Sequence, residues 1–527
     1  MAGDMPAPAG PRANVKMVID GQAHEFPAGL TILEACQRVG SKVPFFCWHP
    51  GLSAPAVCRQ CLVEIKGFPK PIPSCYTPVA DKMEVVTNSP KVLDVRRQML
   101  EFTLLNHPND CPICDKAGEC LLQKHYFDWD ARVARNDGSK VHKTKVVDVG
   151  RHIVLDQERC ILCSRCIRVC NEVAHQQDLV MAFRGDRQLL TTAPGQRLDN
   201  PYSLNTVDVC PVGALTAKDF RFSMRAWELW ATPSLCPGCA TGCNIEIHAA
   251  RNVVRRLIPR LNPAVNKYWM CDEGRLTYKS LHENRLAAPM VAGAATSWDV
   301  ALAEATRLLG QARDKSPATL GVVLSAQMTN EDLFAFLRLA TECLRTDRVY
   351  LAGAPEGWCD DILVSADKNP NTTGAKLIGG PTLRTSADLK RDLETGVVTA
   401  LLLVGEDHEI GPLDSLQTLV AVTAHQGPSV AAAHVALPLA MWAEVDGSFT
   451  NRQGKVQRLY TAIAAAGQAR PGWETAIRLA RALGAAWTYA DAKQVFSEVC
   501  AKVTLMSRAD WGKPEMPVQL RFANSRG

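Results

Sequence analysis

The mostly apolar run 15–19 reads as a strand and 24–26 as its return strand, with Asp20-Gly21 as the turn between them. The pattern predicts a β-hairpin near the start of the chain. Thr31, followed three residues later by Glu34, has the form of a capping box opening a helix to about residue 39. Residues 91–106 read as a second helix, stopped by His107-Pro108. From about Leu286 the pattern changes. Helical spacing over 298–313 and 330–345 alternates with apolar runs of strand length at 319–324, 349–351 and 397–404, the last ending in Gly405. Such alternation predicts an α/β domain around a mainly parallel sheet. The longest apolar stretch, 430–443, is broken by His434 and Pro438 and is too short to cross a bilayer. Residues 1–13 form a small Ala/Pro/Gly tail without a basic start or an apolar run; it is expected to be flexible and does not read as a signal peptide.

Composition narrows the class. A chain of 527 residues is too long for one core and suggests about three or four domains. Charge is nearly balanced, 59 Lys+Arg against 54 Asp+Glu, so nothing marks a nucleic-acid binder. With 47% hydrophobic and 21% charged residues, the chain has enough apolar material for several cores, which excludes disorder over most of its length. Neither a P-loop nor a G-x-G-x-x-G fingerprint occurs, so the α/β half offers no recognisable nucleotide site.

Cysteine carries most of the information. Of 20 cysteines, 17 lie at or before Cys271. A secreted disulfide scaffold would be short and denser in Cys, and grouped thiols in a reducing compartment more often bind metal. The first group is Cys47, Cys58, Cys61 and Cys75, with ten, two and thirteen residues between members. Its Cys-x2-Cys pair and two distant thiolates, among Pro and Gly, suit a loop wrapped around a 2Fe-2S core, with zinc as the rival. Cys36 falls inside the predicted helix and reads as packed core. The second group is His107, Cys111, Cys114 and Cys120, spaced by three, two and five. Three thiolates leave one iron of a cubane without a protein ligand, and His107 supplies a donor; a neutral imidazole also makes the site less negative, as in Rieske centres. Zinc with three Cys and one His fits this spacing too.

The third group is the run Cys160, Cys163, Cys166 and Cys170, with gaps of two, two and three. In two-cluster ferredoxins the fourth Cys of each run ligates the other cluster, and a proline follows it. Counting back by the same spacing from Cys210-Pro211 lands on Asn200, Ser203 and Thr206, none of them a thiolate ligand. Cys160, Cys163, Cys166 and Cys210 are therefore expected to hold one 4Fe-4S cluster, the second is expected to be absent, and Cys170 becomes a buried bystander. The fourth group is Cys236, Cys239, Cys243 and Cys271, with gaps of two, three and twenty-seven; a cubane and a zinc ribbon both suit it. Cys36, Cys170, Cys343, Cys359 and Cys500 remain and are expected in cores.

The motifs Phe46-Cys47-Trp48-His49-Pro50-Gly51-Leu52, Cys58-Arg59-Gln60-Cys61-Leu62-Val63-Glu64, His107-Pro108-Asn109-Asp110-Cys111-Pro112-Ile113-Cys114 and Asp208-Val209-Cys210-Pro211-Val212-Gly213-Ala214-Leu215 form a recurring set. They resemble those of the large iron–sulfur subunit family of bacterial NADH-quinone oxidoreductase (complex I). The resemblance spans residues 14–285. It implies one 2Fe-2S and three 4Fe-4S clusters on the four groups, the fourth like an extra site that some members carry off the main electron route. Glu444-Val445-Asp446-Gly447-Ser448-Phe449-Thr450-Asn451 and Gly454-Lys455-Val456-Gln457-Arg458 are similar to the molybdopterin oxidoreductase fold. The roughly 240 residues after Leu286 are too few for domains enclosing a bis-pterin cofactor, so no molybdenum or molybdopterin is expected.

The fold class expected is multidomain, α+β followed by α/β. A tail over 1–13 precedes a β-grasp 2Fe-2S domain (14–92), a His/Cys-ligated 4Fe-4S domain (93–135), a bacterial-ferredoxin-like domain (148–222), a molybdopterin-oxidoreductase-type 4Fe-4S domain (229–285) and a degenerate α/β domain (286–527). The resemblance implies an electron relay between an NADH/FMN-binding partner subunit and quinone, within a proton-translocating respiratory complex. The chain would have no substrate site of its own. It would sit at the cytoplasmic face of the bacterial cell membrane, held there only by other peripheral-arm subunits. The alternatives are the corresponding subunit of an NAD-reducing hydrogenase or NAD-linked formate dehydrogenase, and a non-redox scaffold with zinc in some sites.

Overall fold

The computed structural model describes residues 14–129, 133–135, 138–405, 410–512 and 518–519, so the tail expected over 1–13 lies outside the described residues. The chain divides between Glu228 and Leu229 into two compact units.

The first unit opens with the predicted hairpin. Strands Asn14–Ile19 and Gln22–Pro27 pair antiparallel, and Asp20 and Gly21 turn the chain at φ 49° and 84°, the two positive values that a type I′ turn requires. The helix Ile32–Arg38 starts at a reciprocal capping box between Thr31 and Glu34 and buries Ile32, Leu33, Ala35 and Cys36. That places Cys36 in the core, as expected. The sheet runs Gln22–Pro27, Asn14–Ile19, Glu84–Val86, Leu62–Ile65, Ile72–Pro73. Its central pair, Asn14–Ile19 with Glu84–Val86, is parallel.

The helix Pro90–Leu105 follows, with Ser89 Oγ accepting from Val92 N–H and proline in its first turn. A shorter helix, Leu121–Trp129, comes after the second cysteine group. Beyond it, Ile153–Leu155 pairs antiparallel with both Leu215–Ala217 and Val147–Asp148. Between Ile153–Leu155 and Leu215–Ala217 come the short helices Arg165–Arg168 and Asn205–Val209 and the hairpin Leu179–Ala182 with Leu189–Thr192.

In the second unit, Trp230–Leu235, Asn244–Ala250 and Val253–Pro259 form an antiparallel sheet. The α/β part is built on eight strands. Six are parallel, and in chain order Leu320–Ser325, Val349–Ala352, Arg384–Thr385, Ala400–Val404, Thr418–Thr423 and Val435–Pro438 stand in the spatial order 3-2-1-4-5-6. That is the doubly wound arrangement, with its switch point between Leu320–Ser325 and Ala400–Val404. The antiparallel strands Met290–Val291 and Ala294–Ala295 finish one edge.

Differences from the sequence expectation have local causes. The helix expected over 330–345 is α-helical over Asn330–Arg338 and then widens into a π turn, Leu339–Cys343. The run 397–404 enters the sheet only at Ala400, because Val398 N–H is engaged by Asp392 O after the turn at Gly396. The apolar stretch 430–443 splits between the helix Pro428–Ala432 and the strand Val435–Pro438. Among the described residues no helix is long and apolar enough to cross a membrane. One expectation is corrected. Cys359 is exposed, not in a core, because it sits in the irregular connection after Val349–Ala352, where neighbouring Trp358 is exposed as well. Cys343 is buried and Cys500 half-buried.

Candidate iron–sulfur sites

Each of the four groups is brought together by loops, not by regular elements. In the first, Cys47, Cys61 and Cys75 are buried and Cys58 half-buried. The Cys47 thiol lies within hydrogen-bonding reach of Cys58 and Cys75, and Cys61 within reach of Cys75. These contacts pull the Cys47 and Cys61 thiols below their ordinary value, while Cys58 and Cys75, as the donors, are pushed up. Left-handed backbone at Ala56 and Arg59 bends the loop around Cys58, whose sulfur accepts Phe46 N–H at 3.4 Å. Ser74 ties the last strand of the site back, its Oγ donating to Cys61 O at 2.7 Å.

The second group surrounds the 3-10 turn Cys111–Ile113. His107 Nδ1 is buried without a hydrogen-bond partner, and burial lowers the imidazole pKa to about 4, so the ring is neutral, as a ligand must be. His107, Cys111 and Cys120 line a cavity of about 620 Å³, whose apolar wall includes Leu104, Leu105 and Tyr126. Burial pushes the Cys120 thiol up to about 12 and raises Cys114 as well.

In the third group, left-handed Leu162 and Ser164 turn the chain between successive thiols. Cys160 is pushed up to about 12, Cys163 to about 11 and Cys166 well above its ordinary value, first by burial and then by the other thiols, Cys210 included. A coordinated cation removes such protons outright. Cys170 points elsewhere. It is fully buried near Asn200, whose Nδ2 lies 3.9 Å from its sulfur and donates to Asp178 Oδ2 at 2.6 Å. Asn200, Ser203 and Thr206, the positions reached by counting back from Cys210, are all buried; Thr206 Oγ1 donates to Ser203 O at 2.7 Å. Small hydrogen-bonded side chains fill the place where a second ferredoxin run would carry thiolates.

The fourth group lies in the second unit. Its thiols are all buried, and Cys236 N–H donates to Cys243 O at 2.9 Å to close the loop. Cys271 caps the helix Asp272–Arg275, its sulfur accepting Gly274 N–H at 3.3 Å, and Gly238 N–H points at Cys236 Sγ at 3.5 Å. Amide donors aimed at sulfur favour the thiolate that metal binding requires. Leu363, Val364 and Lys368 complete the wall, with Lys368 paired to Glu273 at 3.0 Å. The motif 444–458 braces this loop: Gln457 Nε2 donates to Gly242 O at 2.9 Å, and Asn451 Nδ2 to Thr241 O at 3.1 Å. A structural zinc needs four donors about 2.0–2.3 Å from one point. Among the described residues no group of three or more His, Cys, Asp or Glu is already drawn together as a metal-ion site, so this geometry does not choose between zinc and a cluster.

Three arginines that sequence reading passed over join the sites of the first unit. Arg168 Nη2 donates to Cys47 O and Cys163 O, and Arg165 to Trp48 O and Val209 O, so the first and third groups adjoin. Arg159 pairs with Asp110 beside the second group at 2.6 Å, and Leu121 N–H donates to Pro211 O at 2.9 Å. A side chain on Gly213 would collide with Cys114 Sγ, which shows how closely the third and second groups approach. The order by contact is first, third, second. The one signal in the sequence was the placement of Arg165 and Arg168 inside a run whose cysteines must be buried.

Five family profiles match the chain in succession. They are described as a 2Fe-2S iron-sulfur cluster binding domain (12–90), an NADH-ubiquinone oxidoreductase-G iron-sulfur binding region (96–132), an NADH-quinone oxidoreductase subunit 3 ferredoxin-like domain (150–216), a molybdopterin oxidoreductase Fe4S4 domain (230–283) and molybdopterin oxidoreductase (367–482). The NADH-ubiquinone oxidoreductase 75 kDa subunit of Reclinomonas americana is 41% identical over 53% of this chain and 40% of its own. The corresponding NADH-quinone oxidoreductase chain of Mycobacterium bovis is 33% identical over 79% of this chain and 50% of its own. Over the matched residues the chain is homologous to the large iron–sulfur subunits of NADH-quinone oxidoreductases. It spans half or less of the length of these relatives. Of solved structures, a chain of an NAD+-reducing [NiFe]-hydrogenase is 30% identical over 41% of this chain and 92% of its own, with a TM-score of 0.37. This homology accords with the succession of 2Fe-2S, 4Fe-4S and molybdopterin-oxidoreductase domain matches.

Proposed function

We propose that the chain is an iron–sulfur relay of a respiratory NADH:quinone oxidoreductase, passing electrons from an NADH/FMN-binding partner subunit toward quinone. The observation that carries this reading is the contact of the first, third and second thiol groups in one unit through buried arginines. The ligand sets proposed are Cys47, Cys58, Cys61 and Cys75 for a 2Fe-2S cluster, and His107, Cys111, Cys114 and Cys120 for a 4Fe-4S cluster. Cys160, Cys163, Cys166 and Cys210 form a second 4Fe-4S set, and Cys236, Cys239, Cys243 and Cys271 a third. The domain limits proposed are 14–92, 93–135, 148–222, 229–285 and 286–527.

Bound clusters supply one-electron redox chemistry. The residues of the chain hold the thiolates in loops, exclude water by burial, and aim amide N–H groups at sulfur. The orphaned Nδ1 of His107 fits a metal-facing imidazole. Anaerobic reconstitution of the chain is expected to give one 2Fe-2S and three 4Fe-4S clusters by iron and acid-labile sulfide analysis. Zinc without sulfide would overturn the assignment. The relay would work at the cytoplasmic face of the cell membrane, attached through other peripheral-arm subunits.

The α/β part does not fit a pterin dinucleotide. Ligands of doubly wound sheets bind at the carboxyl ends of the strands beside the switch point, in pockets of about 300–1,000 Å³. Here the cavity at that place, lined by Gln327, Gly405, Met441 and Trp442, holds about 50 Å³. Gly405 abuts Ser325 so closely that a side chain on it would collide with the serine. Purified protein is expected to contain no pterin. Fluorescent pterin oxidation products near one per chain would refute this.

A further inference from the structure

Arg165 is buried, 5% exposed, inside the third cysteine run. Its Nη1 donates to the carbonyl of Val209, the residue before Cys210, at 3.0 Å, and its Nη2 to the carbonyl of Trp48, the residue after Cys47, at 2.5 Å. Its Nε has no partner, and the guanidinium lies 5.9 Å from the centre of the Phe45 ring. No carboxylate among the described residues pairs with it; the groups around it that carry opposite charge once ionised are the thiols Cys163, Cys210 and Cys47, while Arg168 adds a like charge. Neighbouring Arg168 differs, because Glu172 lies close enough to offset its charge. A buried charge is costly unless it is compensated, and arginine cannot escape by losing its proton.

We infer that Arg165 is a positioning residue shared by two redox sites, its fixed positive charge balanced by the anionic clusters of the first and third groups and raising the reduction potentials of both. This rests on the ligand assignment proposed above. Reduction adds one electron to either site, and a cation between them favours the reduced form of each. The carbonyl contacts also hold the two loops at one separation, so one side chain sets distance and driving force together.

The test is a potentiometric titration of the full chain, reconstituted anaerobically, with the EPR signals of the 2Fe-2S site and of the third-group 4Fe-4S site read separately. Arg165→Met is expected to lower the reduction equilibrium constant of both sites on the order of tenfold, which is about 59 mV for each one-electron couple. Arg165→Lys keeps the charge but not the fork, and is expected to leave both within about threefold of wild type. Arg168→Met is expected to shift them less than Arg165→Met. A merely structural role would make the lysine variant as deviant as the methionine one, and that result overturns the inference. So does a shift confined to one site, or to neither. If Arg165→Met fails to load clusters, Arg165→Gln, which keeps N–H donors without charge, is read against the same outcomes. A wild-type chain lacking these signals defeats the ligand assignment instead, so the two failures are distinguishable.

Discussion

Replacing Cys210 with alanine is expected to abolish or convert one 4Fe-4S EPR signal of the reconstituted chain, whereas replacing Cys170 should leave every signal intact. The two cysteines are the fourth members of matching runs, and spacing alone treats them alike. Their surroundings do not. Cys210 acts electrostatically on Cys160, Cys163 and Cys166, whereas Cys170 acts on Cys166 alone of the three. Cys170 faces Asn200, already engaged by Asp178, with Ser203 and Thr206 buried along the same stretch. Loss of a thiolate leaves an iron undercoordinated. Loss of the Cys170 thiol costs stability on the order of 1 kcal/mol, the value for trimming a small buried group. A signal lost in Cys170→Ala and kept in Cys210→Ala would reverse the assignment. Loss in both would require a second cluster at this site.

Glu444→Ala is expected to destabilise the second unit by about 3–5 kcal/mol, because it leaves a buried guanidinium uncompensated. Arg285 Nη1 and Nη2 each donate to one oxygen of Glu444 at 2.8 Å, and the two side chains are 7% and 2% exposed. The same carboxylate accepts Met441 N–H at 2.8 Å and Ala466 N–H at 3.1 Å. The double variant Arg285→Met with Glu444→Leu is expected to recover much of the loss, since apolar replacement of a buried pair is often close to neutral. Chemical denaturation followed by tryptophan emission measures both. Equal damage from the single and double variants would assign the stability to the backbone contacts and not to the charge pair.

The local signals that could be read from the chain were those with a short period or a fixed offset. The Thr31–Glu34 capping box, the Asp20-Gly21 turn and the helix stopped before His107-Pro108 depend on neighbours a few residues away. The apolar run at 397–404 was legible as a strand, but its first three positions are lost to the preceding turn. The strands Thr418–Thr423 and Val435–Pro438 give no alternating signal, because fully buried parallel strands do not alternate. Cys359 departs from its expected core position because burial is not a property of residue type; the connection that carries it leaves it exposed.

Ligand chemistry is largely written in residue type and spacing. Cys-x2-Cys loops, the His four positions before such a pair, and the missing thiolates at Asn200, Ser203 and Thr206 all lie on the one-dimensional chain. Which site stands beside which does not. Arg165 reaches Trp48 across 117 positions and Val209 across 44, and only folding brings these carbonyls to one guanidinium. In sequence the groups run first, second, third; in contact they run first, third, second. Charged side chains seldom show in advance that they will be buried, since most lie in water; the cysteine run around Arg165 and Arg168 is the exception. Arg159, Arg165, Arg168 and the Arg285–Glu444 pair acquire their roles from the low-dielectric places into which the tertiary fold draws them.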